Sequence, residues 1–493
     1  MVDESKYKDG GWAWVVVFGA FISHFMTCGF EKGYSVLYVE IIRVYNTSAA
    51  LSAALGGFAS AVRLLLAPLS VSLSNIYSEQ KVAMAGGLLT FIGLLTAALS
   101  PHFTIFFIAY GAVFGFGLTL SYTPSLVVCT HYFHKRRATA LSLSLAGCGV
   151  ATIILPYLFY FLISYYGLRG AMIILSAFSL HYCVAGALYY QREPKKDNVQ
   201  DSEPSKVKLS ISSRVVKYIS RLLKIKVASG IWVKIFLLSF ILNMMGSSPV
   251  TTLLIDHAEQ LGYIGGSSVQ LLMIEGTVQL VVRIALGFFF DNQYIKPYRG
   301  LIWTGGVAFS SLIIIFIAFA TDLKLLSSLM FFRGASLALY ISQQAVVVSD
   351  LCEGQPETTS QTIAIAQICK GIGTLLGSYF SGLIKDYTQE YRPAFLFLGG
   401  MQFLGFLTVL CAIIWARINA RKRIELEVSE NLIHSSSLGN ISDISSHVLN
   451  TNAIIPSSAS SSNELSTSRN DEIVPVVVTK TDNDIPTPQS SRI

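Results

Sequence analysis

The run Ala171–Tyr190, AMIILSAFSLHYCVAGALYY, holds no Asp, Glu, Lys or Arg, and it gives way at Gln191–Lys206, QREPKKDNVQDSEPSK, to a stretch in which half the residues are charged. An apolar run of that length matches the ~20 helical residues that cross a ~30 Å hydrocarbon core. A second apolar run opens at Ile231–Leu254. Outward from this break the pattern repeats on both sides. Before it lie Trp12–Tyr38, Ala50–Leu73, Val82–Leu99, Thr104–Val128 and Thr139–Phe161; after it lie Val269–Phe290, Leu301–Ala320, Leu325–Val348, Thr362–Ile384 and Ala394–Ala416. Two six-helix halves of 179 (12–190) and 186 residues (231–416) therefore flank a central loop, 191–230, with a short N-terminus, 1–11, and a tail, 417–493. The expectation is an all-α membrane protein with twelve transmembrane helices.

Composition agrees. Of 493 residues 52% are hydrophobic and 13% charged, with mean hydropathy +0.56, whereas soluble domains carry about 25% charged residues. The net charge of +7 sits in loops and tail that flank the spans, so no nucleic-acid partner is needed to explain it. Seven cysteines, most of them inside apolar runs and without a C-x-x-C pair, predict neither a disulfide framework nor a zinc site. No secretory signal peptide is visible, and Met1–Asp9 followed by a full-length span reads as a signal anchor.

Lys81, Lys135–Arg137, the central loop, Lys296 with Arg299, and Arg421–Arg423 fall on one side of the bundle, with only scattered cations opposite. By the positive-inside rule both termini and the central loop are cytoplasmic. Asn46-Thr47-Ser48 is then a glycosylation sequon in the first outward loop, close to the membrane. Within the central loop, Val207–Val227 alternates apolar and basic residues and suits a helix lying on the inner leaflet or packed beneath the bundle. The tail from about Glu425 has linker composition, with 13 serines in residues 435–468, and is expected to be disordered and open to phosphorylation. Its end, Ser491-Arg492-Ile493, is compatible with a PDZ-domain partner.

Charges inside the spans carry the functional argument, because each costs several kcal/mol unless it is paired or faces water. They are Glu31 and Lys32 in the first span, Arg63 in the second, Glu275 and Arg283 in the eighth, Arg333 in the tenth and Lys370 in the eleventh. Five cations against two anions suit an anionic solute, and carboxylates are matched by lysine and by the arginine fork. Arg63 and Arg333 are equally suited to bonding helix to helix. No enzymatic constellation competes: the histidines are scattered, with no H-E-x-x-H and no G-x-S-x-G. Gly371-Ile-Gly373 follows no strand and is no dinucleotide loop. Neither cofactor nor metal is expected.

Two six-helix halves joined by a cytoplasmic loop is the arrangement of the major facilitator superfamily, whose substrate site lies between the halves. Two motifs narrow the likeness. Asp9-Gly10-Gly11-Trp12-Ala13-Trp14 resembles the first signature of the monocarboxylate transporter family, and Tyr132-Phe133-His134-Lys135-Arg136-Arg137, continuing to Ala146-Gly147, resembles its second. In the second, Thr139 stands for a usual leucine, and Ser142 and Ala151 stand for usual glycines. From the residues alone, Trp12 and Trp14 are interfacial anchors, and the basic triplet fixes topology and clasps neighbouring helix ends.

The resemblance implies a plasma-membrane carrier for small organic acids, with a single-span accessory glycoprotein as an open partner. It places Lys32 and Arg283 at the substrate. The family's partner to that arginine is an aspartate one turn earlier, where this chain has Gln279. Glutamine does not ionise, which argues against obligatory proton symport unless Glu275, a further turn back, takes over. Lys370 adds charge beyond what a lactate carrier needs. The candidate substrate-binding residues are thus Lys32, Arg283, Gln279, Glu275, Lys370 and Arg333. Facilitated transport of aromatic amino acids, thyroid-hormone-like molecules, carnitine or creatine is the alternative within the family, and a non-transporting membrane sensor the alternative outside it.

Overall fold

A computed structural model describes residues 11–133, 136–189, 231–263, 265–290, 294–295, 298–351 and 356–437. Asp9, Gly10, His134, Lys135, Lys296, the central loop with Val207–Val227, and the tail from 438 to Ile493 lie outside the described residues.

Every described element is helical. The first half comprises α1 (Trp12–Tyr45), α2 (Ala49–Leu65), α3 (Ala67–Tyr77), α4 (Glu79–Leu99), α5 (Phe103–Phe107), a π-helical turn (Ile108–Phe114), α6 (Gly115–Tyr132), α7 (Arg137–Ser179) and α8 (His181–Ala187). The second comprises α9 (Ile231–Gln260), α10 (Gly266–Phe290), α11 (Arg299–Ile317), α12 (Leu323–Leu351), α13 (Pro356–Thr388) and α14 (Arg392–Ser437).

Among the described residues ten helices are long and apolar enough to cross a membrane, and the bent pair α2–α3 supplies an eleventh. The twelfth is hidden in the run Thr139–Ala187, 49 residues long. At 1.5 Å per residue it would measure about 74 Å, more than twice a ~30 Å core. Gly167, with φ 66° and ψ 179°, breaks it in the middle, as expected where a residue must leave the helical region. The expected loop between Phe161 and Ala171 thus shrinks to a single-residue break.

Other departures have local causes. The expected span Ala50–Leu73 is bent by 45° at Leu66, because Pro68 opens α3 and removes a backbone donor from a continuous helix. Thr104–Val128 contains the π turn at Ile108–Phe114. The tail was expected to be disordered from about Glu425, yet α14 runs to Ser437. Arg421, Lys422, Arg423, Glu425, Leu426 and Glu427 are good helix formers, and Arg421–Glu425 and Arg423–Glu427 stand four apart. Cysteines gave no expectation of a bridge, but Cys28 of α1 and Cys148 of α7 form a disulfide with Cα atoms 5.1 Å apart. The two helices cross there because Gly147 packs on the backbone of Phe21 and Gly29 on Leu155. Two small residues bring the thiols together, a proximity that spacing along the chain does not encode.

The halves meet chiefly along three helix pairs, α2 with α13, α7 with α10, and α1 with α9. At Gly57 an added Cβ would lie 2.7 Å from the Ser378 side chain, and at Gly276 it would lie 2.7 Å from Thr152. Within the second half Gly373 rests directly on the Ile241 carbonyl of α9. Polar side-chain contacts join the halves near the end where α1 finishes and α2 begins. Arg43 pairs with Glu259 at 2.6 Å, Tyr38 and Tyr391 hydroxyls stand 3.5 Å apart, and both Asp386 carboxylate oxygens accept from the Ala49 and Ala50 N–H groups at 2.8 Å. Asp386 therefore caps α2 from the opposite half, using donors that a helix start leaves unpaired.

Gly373→Ala is expected to lower the melting temperature of detergent-purified protein, since overpacking against a fixed carbonyl costs about 1–3 kcal/mol. Gly400→Ala, where nothing lies within 4 Å of the added carbon, serves as the control. Differential scanning fluorimetry should find it neutral or slightly stabilised; equal losses in both would remove the close-packing account.

Candidate functional site

The buried charges fall in two groups. The first centres on Glu275 of α10, which is 0% exposed. Its Oε1 accepts from Lys32 Nζ of α1 at 2.7 Å, and its Oε2 accepts from Arg333 of α12. Lys32 also donates to Thr251 Oγ1 at 3.1 Å, and Arg333 donates to the Ser247 carbonyl at 2.8 Å, both on α9. One carboxylate thus holds four helices, and the Lys32 bond crosses from the first half to the second. Gly334 makes the approach possible, since a Cβ there would lie 2.5 Å from the Glu275 carbonyl.

The second group belongs to α1, α2, α6, α10 and α13. Glu31 accepts from Arg63 Nε at 2.9 Å and from its terminal nitrogen, so this pair is neutral and stays within the first half. The Arg63 guanidinium lies 5.1 Å from the Tyr122 ring. Arg283 lies within electrostatic reach of the same tyrosine and of His24. It is half-buried, its Nε has no hydrogen-bond partner, and among the described residues no carboxylate pairs with it. Lys370 is 8% exposed, donates to Gln344 Oε1 of α12, and stands 5.6 Å from the Phe240 ring. It has no carboxylate partner among the described residues either. Gln279 is buried one turn from Arg283, and its side chain has no hydrogen bond among the described residues.

Several expectations need adjusting against this arrangement. Glu275 does not stand in for the missing partner of Arg283: it is turned to Lys32 and Arg333. The reason is the helical period, which puts residues 275 and 283 two turns, about 12 Å, apart along α10. Arg333, a candidate substrate ligand, is 1% exposed and committed to Glu275 and Ser247. It bonds helix to helix, the other role the sequence offered. Lys32 is 20% exposed and partly committed. Of the five cations inside the spans, Arg283 and Lys370 are the two without a carboxylate partner among the described residues.

The described signature residues Trp14 and Phe133 pack on each other, edge-on with ring centroids 5.0 Å apart. Ala13, Val17, Cys129, Phe133 and Tyr189 are buried around them, with Tyr132 and Trp14 alongside. Trp14 is partly buried against this cluster, and Trp12 is exposed and donates to the Leu188 carbonyl at 3.3 Å. Gly11 has φ 57°, which explains a glycine before α1. Arg136 precedes α7, which Arg137 opens. Gln344, Thr251, Ser247 and Asp386 escaped notice, because neutral or loop-end polar residues give no signal in one sequence. Among the described residues no cluster of His, Cys, Asp and Glu could hold a metal.

Residues 20–360 match the family model described as the Major Facilitator Superfamily. Monocarboxylate transporter 12 of Xenopus laevis is 26% identical over 444 residues, covering 87% of this chain and 94% of that protein. Monocarboxylate transporter 4 of Gallus gallus is 27% identical over 394 residues, covering 80% and 81%. Monocarboxylate transporter 2 of Homo sapiens is 26% identical over 422 residues, covering 83% and 86%. A crystal structure of a mutant of the nucleoside transporter NupG superposes with a TM-score of 0.61 at 13% identity, covering 80% of this chain and 99% of that one; this likeness concerns the fold alone.

Removing the shared anion by Glu275→Gln leaves two buried cations facing each other. Breaking a buried pair in this way costs about 3–5 kcal/mol. Thermal melting and surface abundance should both fall. Adding Lys32→Gln should restore part of the loss, since one uncompensated charge is removed. A double variant no more stable than Glu275→Gln alone would show that the two residues are not coupled.

Proposed function

The chain belongs to the major facilitator superfamily and is related to the monocarboxylate transporters, and from that premise we propose that it carries a small organic carboxylate across the plasma membrane by alternating access. It is a multi-pass membrane protein and not an enzyme; the substrate, the coupling and the orientation are the proposal. Arg283 is the observation that carries it. An arginine cannot shed its charge, and a half-buried one with an unpaired Nε and no carboxylate partner among the described residues suits an anion. The guanidinium fork matches a carboxylate in two parallel hydrogen bonds.

With the positive-inside orientation, the end of the bundle where Arg43 pairs with Glu259 and Asp386 caps α2 faces outward. Transport then requires the Lys32–Glu275 bond and the Asp386 cap to part when the site turns outward. Both are polar contacts that water can replace, whereas an apolar seal would need fresh surface exposed.

Proton symport needs an ionisable group that changes charge with the solute. At position 279 that group is absent, and Glu275 is engaged by two cations. Uptake is therefore expected to respond weakly to external acid. In oocytes given a labelled carboxylate panel, lowering external pH by one unit should change uptake by less than about twofold, against the tenfold change in proton activity that a symporter exploits. Arg283→Lys should keep surface levels and lose about tenfold in uptake, because it keeps the charge and removes the fork. Normal uptake by Arg283→Lys at normal surface level would overturn the assignment of that residue. Steep acid stimulation abolished by Glu275→Gln would overturn the uncoupled reading.

A further inference from the structure

Charge accounting leaves two span cations without an anion among the described residues, and they lie at similar distances along their helices. Arg283 is 17 residues from the start of α10 and Lys370 is 18 residues from the end of α13, both measured from the end closed by the Asp386 cap. At 1.5 Å per residue these are about 26 and 27 Å. Glu275 and Arg333, nine and ten residues from the same end, lie at about 14 and 15 Å. The lock and Arg283 therefore lie in separate layers, about 12 Å apart along α10. Arg63, whose charge reaches Lys370, is already neutralised by Glu31.

Lys370 is more than nine-tenths buried, and an ammonium has three donors, of which one goes to the neutral amide of Gln344. The Phe240 ring gives a further attraction at 5.6 Å. None of these neutralises it. Both helices also stand at the boundary between halves, α10 against α7 and α13 against α2, where a solute of this fold binds. A solute with one carboxylate satisfies Arg283 and leaves Lys370 buried and uncompensated, a costly state.

We infer that the solute carries two carboxylates, one held by Arg283 and the other by Lys370, so that Lys370 selects dicarboxylates over monocarboxylates of the same length. This rests on the carrier reading above and adds the substrate class. Gln344 is a positioning residue, holding the Lys370 amine in place.

The test uses the full chain in proteoliposomes. Malonate, succinate, glutarate and adipate each compete with the monocarboxylate of equal carbon number for uptake of the best-carried label. The wild type should favour at least one dicarboxylate by about tenfold or more in inhibition constant. Lys370→Gln should cut dicarboxylate uptake far more than monocarboxylate uptake and collapse that ratio, whereas Lys370→Arg should retain it. A wild type that favours the monocarboxylates throughout overturns the inference. So does a Lys370→Gln variant with an unchanged ratio, or sigmoidal monocarboxylate competition, which would mean two monoanions bound at once. Because the wild-type ratio stands alone, misfolding of a variant does not shield the claim. Wild-type transport of no carboxylate at all, with uptake of another solute class, would instead overturn the carboxylate reading of the proposed function.

Discussion

A single carboxylate with no access to water, Glu275, holds the centre of this bundle. It lies between a lysine of one half and an arginine of the other, and both cations reach on to α9 through Thr251 and Ser247. A lone carboxylate in hydrocarbon would cost more than the fold can spare, and so would either cation alone. Each member is therefore tolerable only because the others are present, and their helices must pack closely enough to keep them in contact. Gly334, under the Glu275 carbonyl, is the local sign of that requirement. The arrangement also fixes how the halves relate, because Lys32 is the one member that belongs to the first half.

Neutralisation at Glu275 has a consequence one layer deeper. Both internal anions are committed, Glu31 to Arg63 and Glu275 to Lys32 and Arg333, so nothing in the described chain compensates Arg283 or Lys370. A site that is positive and partly shielded from water draws anions and holds them more strongly than water would. The contacts that close one end of the bundle are of a different kind. Arg43–Glu259 and the Asp386 cap sit toward the helix ends, where water can take over their hydrogen bonds when they separate. The Glu275–Arg333 bond lies within the second half and holds it together, whereas the Lys32–Glu275 bond and the end contacts join the halves and must part for the bundle to open at alternate ends.

The fold was legible because hydrocarbon thickness imposes a length that apolar runs must meet, and that length survives in the sequence without knowledge of partners. Boundaries were less so. Gly167 stands inside a helical run of 49 residues, and the turn it makes is shorter than any composition signal. The bend at Leu66 had a visible cause in Pro68, yet the run remained apolar across it. For the site, the types of buried charge were legible and their pairing was not. Glu275 shares a helix with Arg283 and two turns separate them, but which neighbour it would face depends on how α1, α9 and α12 cross, and nothing local encodes that. The contact of Trp14 with Phe133 and the Cys28–Cys148 bridge are of the same kind, since each joins residues more than one hundred positions apart. Gln344 carries no charge and no motif, so its hold on Lys370 was invisible.

The central claim is that unpaired positive charge between two moving halves carries an organic anion. Counterflow tests this most directly. Proteoliposomes containing the purified chain are loaded with an unlabelled carboxylate and diluted into a trace of the labelled compound. A carrier should draw the label inward to a transient excess over its equilibrium level, and the excess should vanish with Arg283→Met. Equilibration without overshoot for every carboxylate, or an overshoot that Arg283→Met leaves intact, would contradict the account.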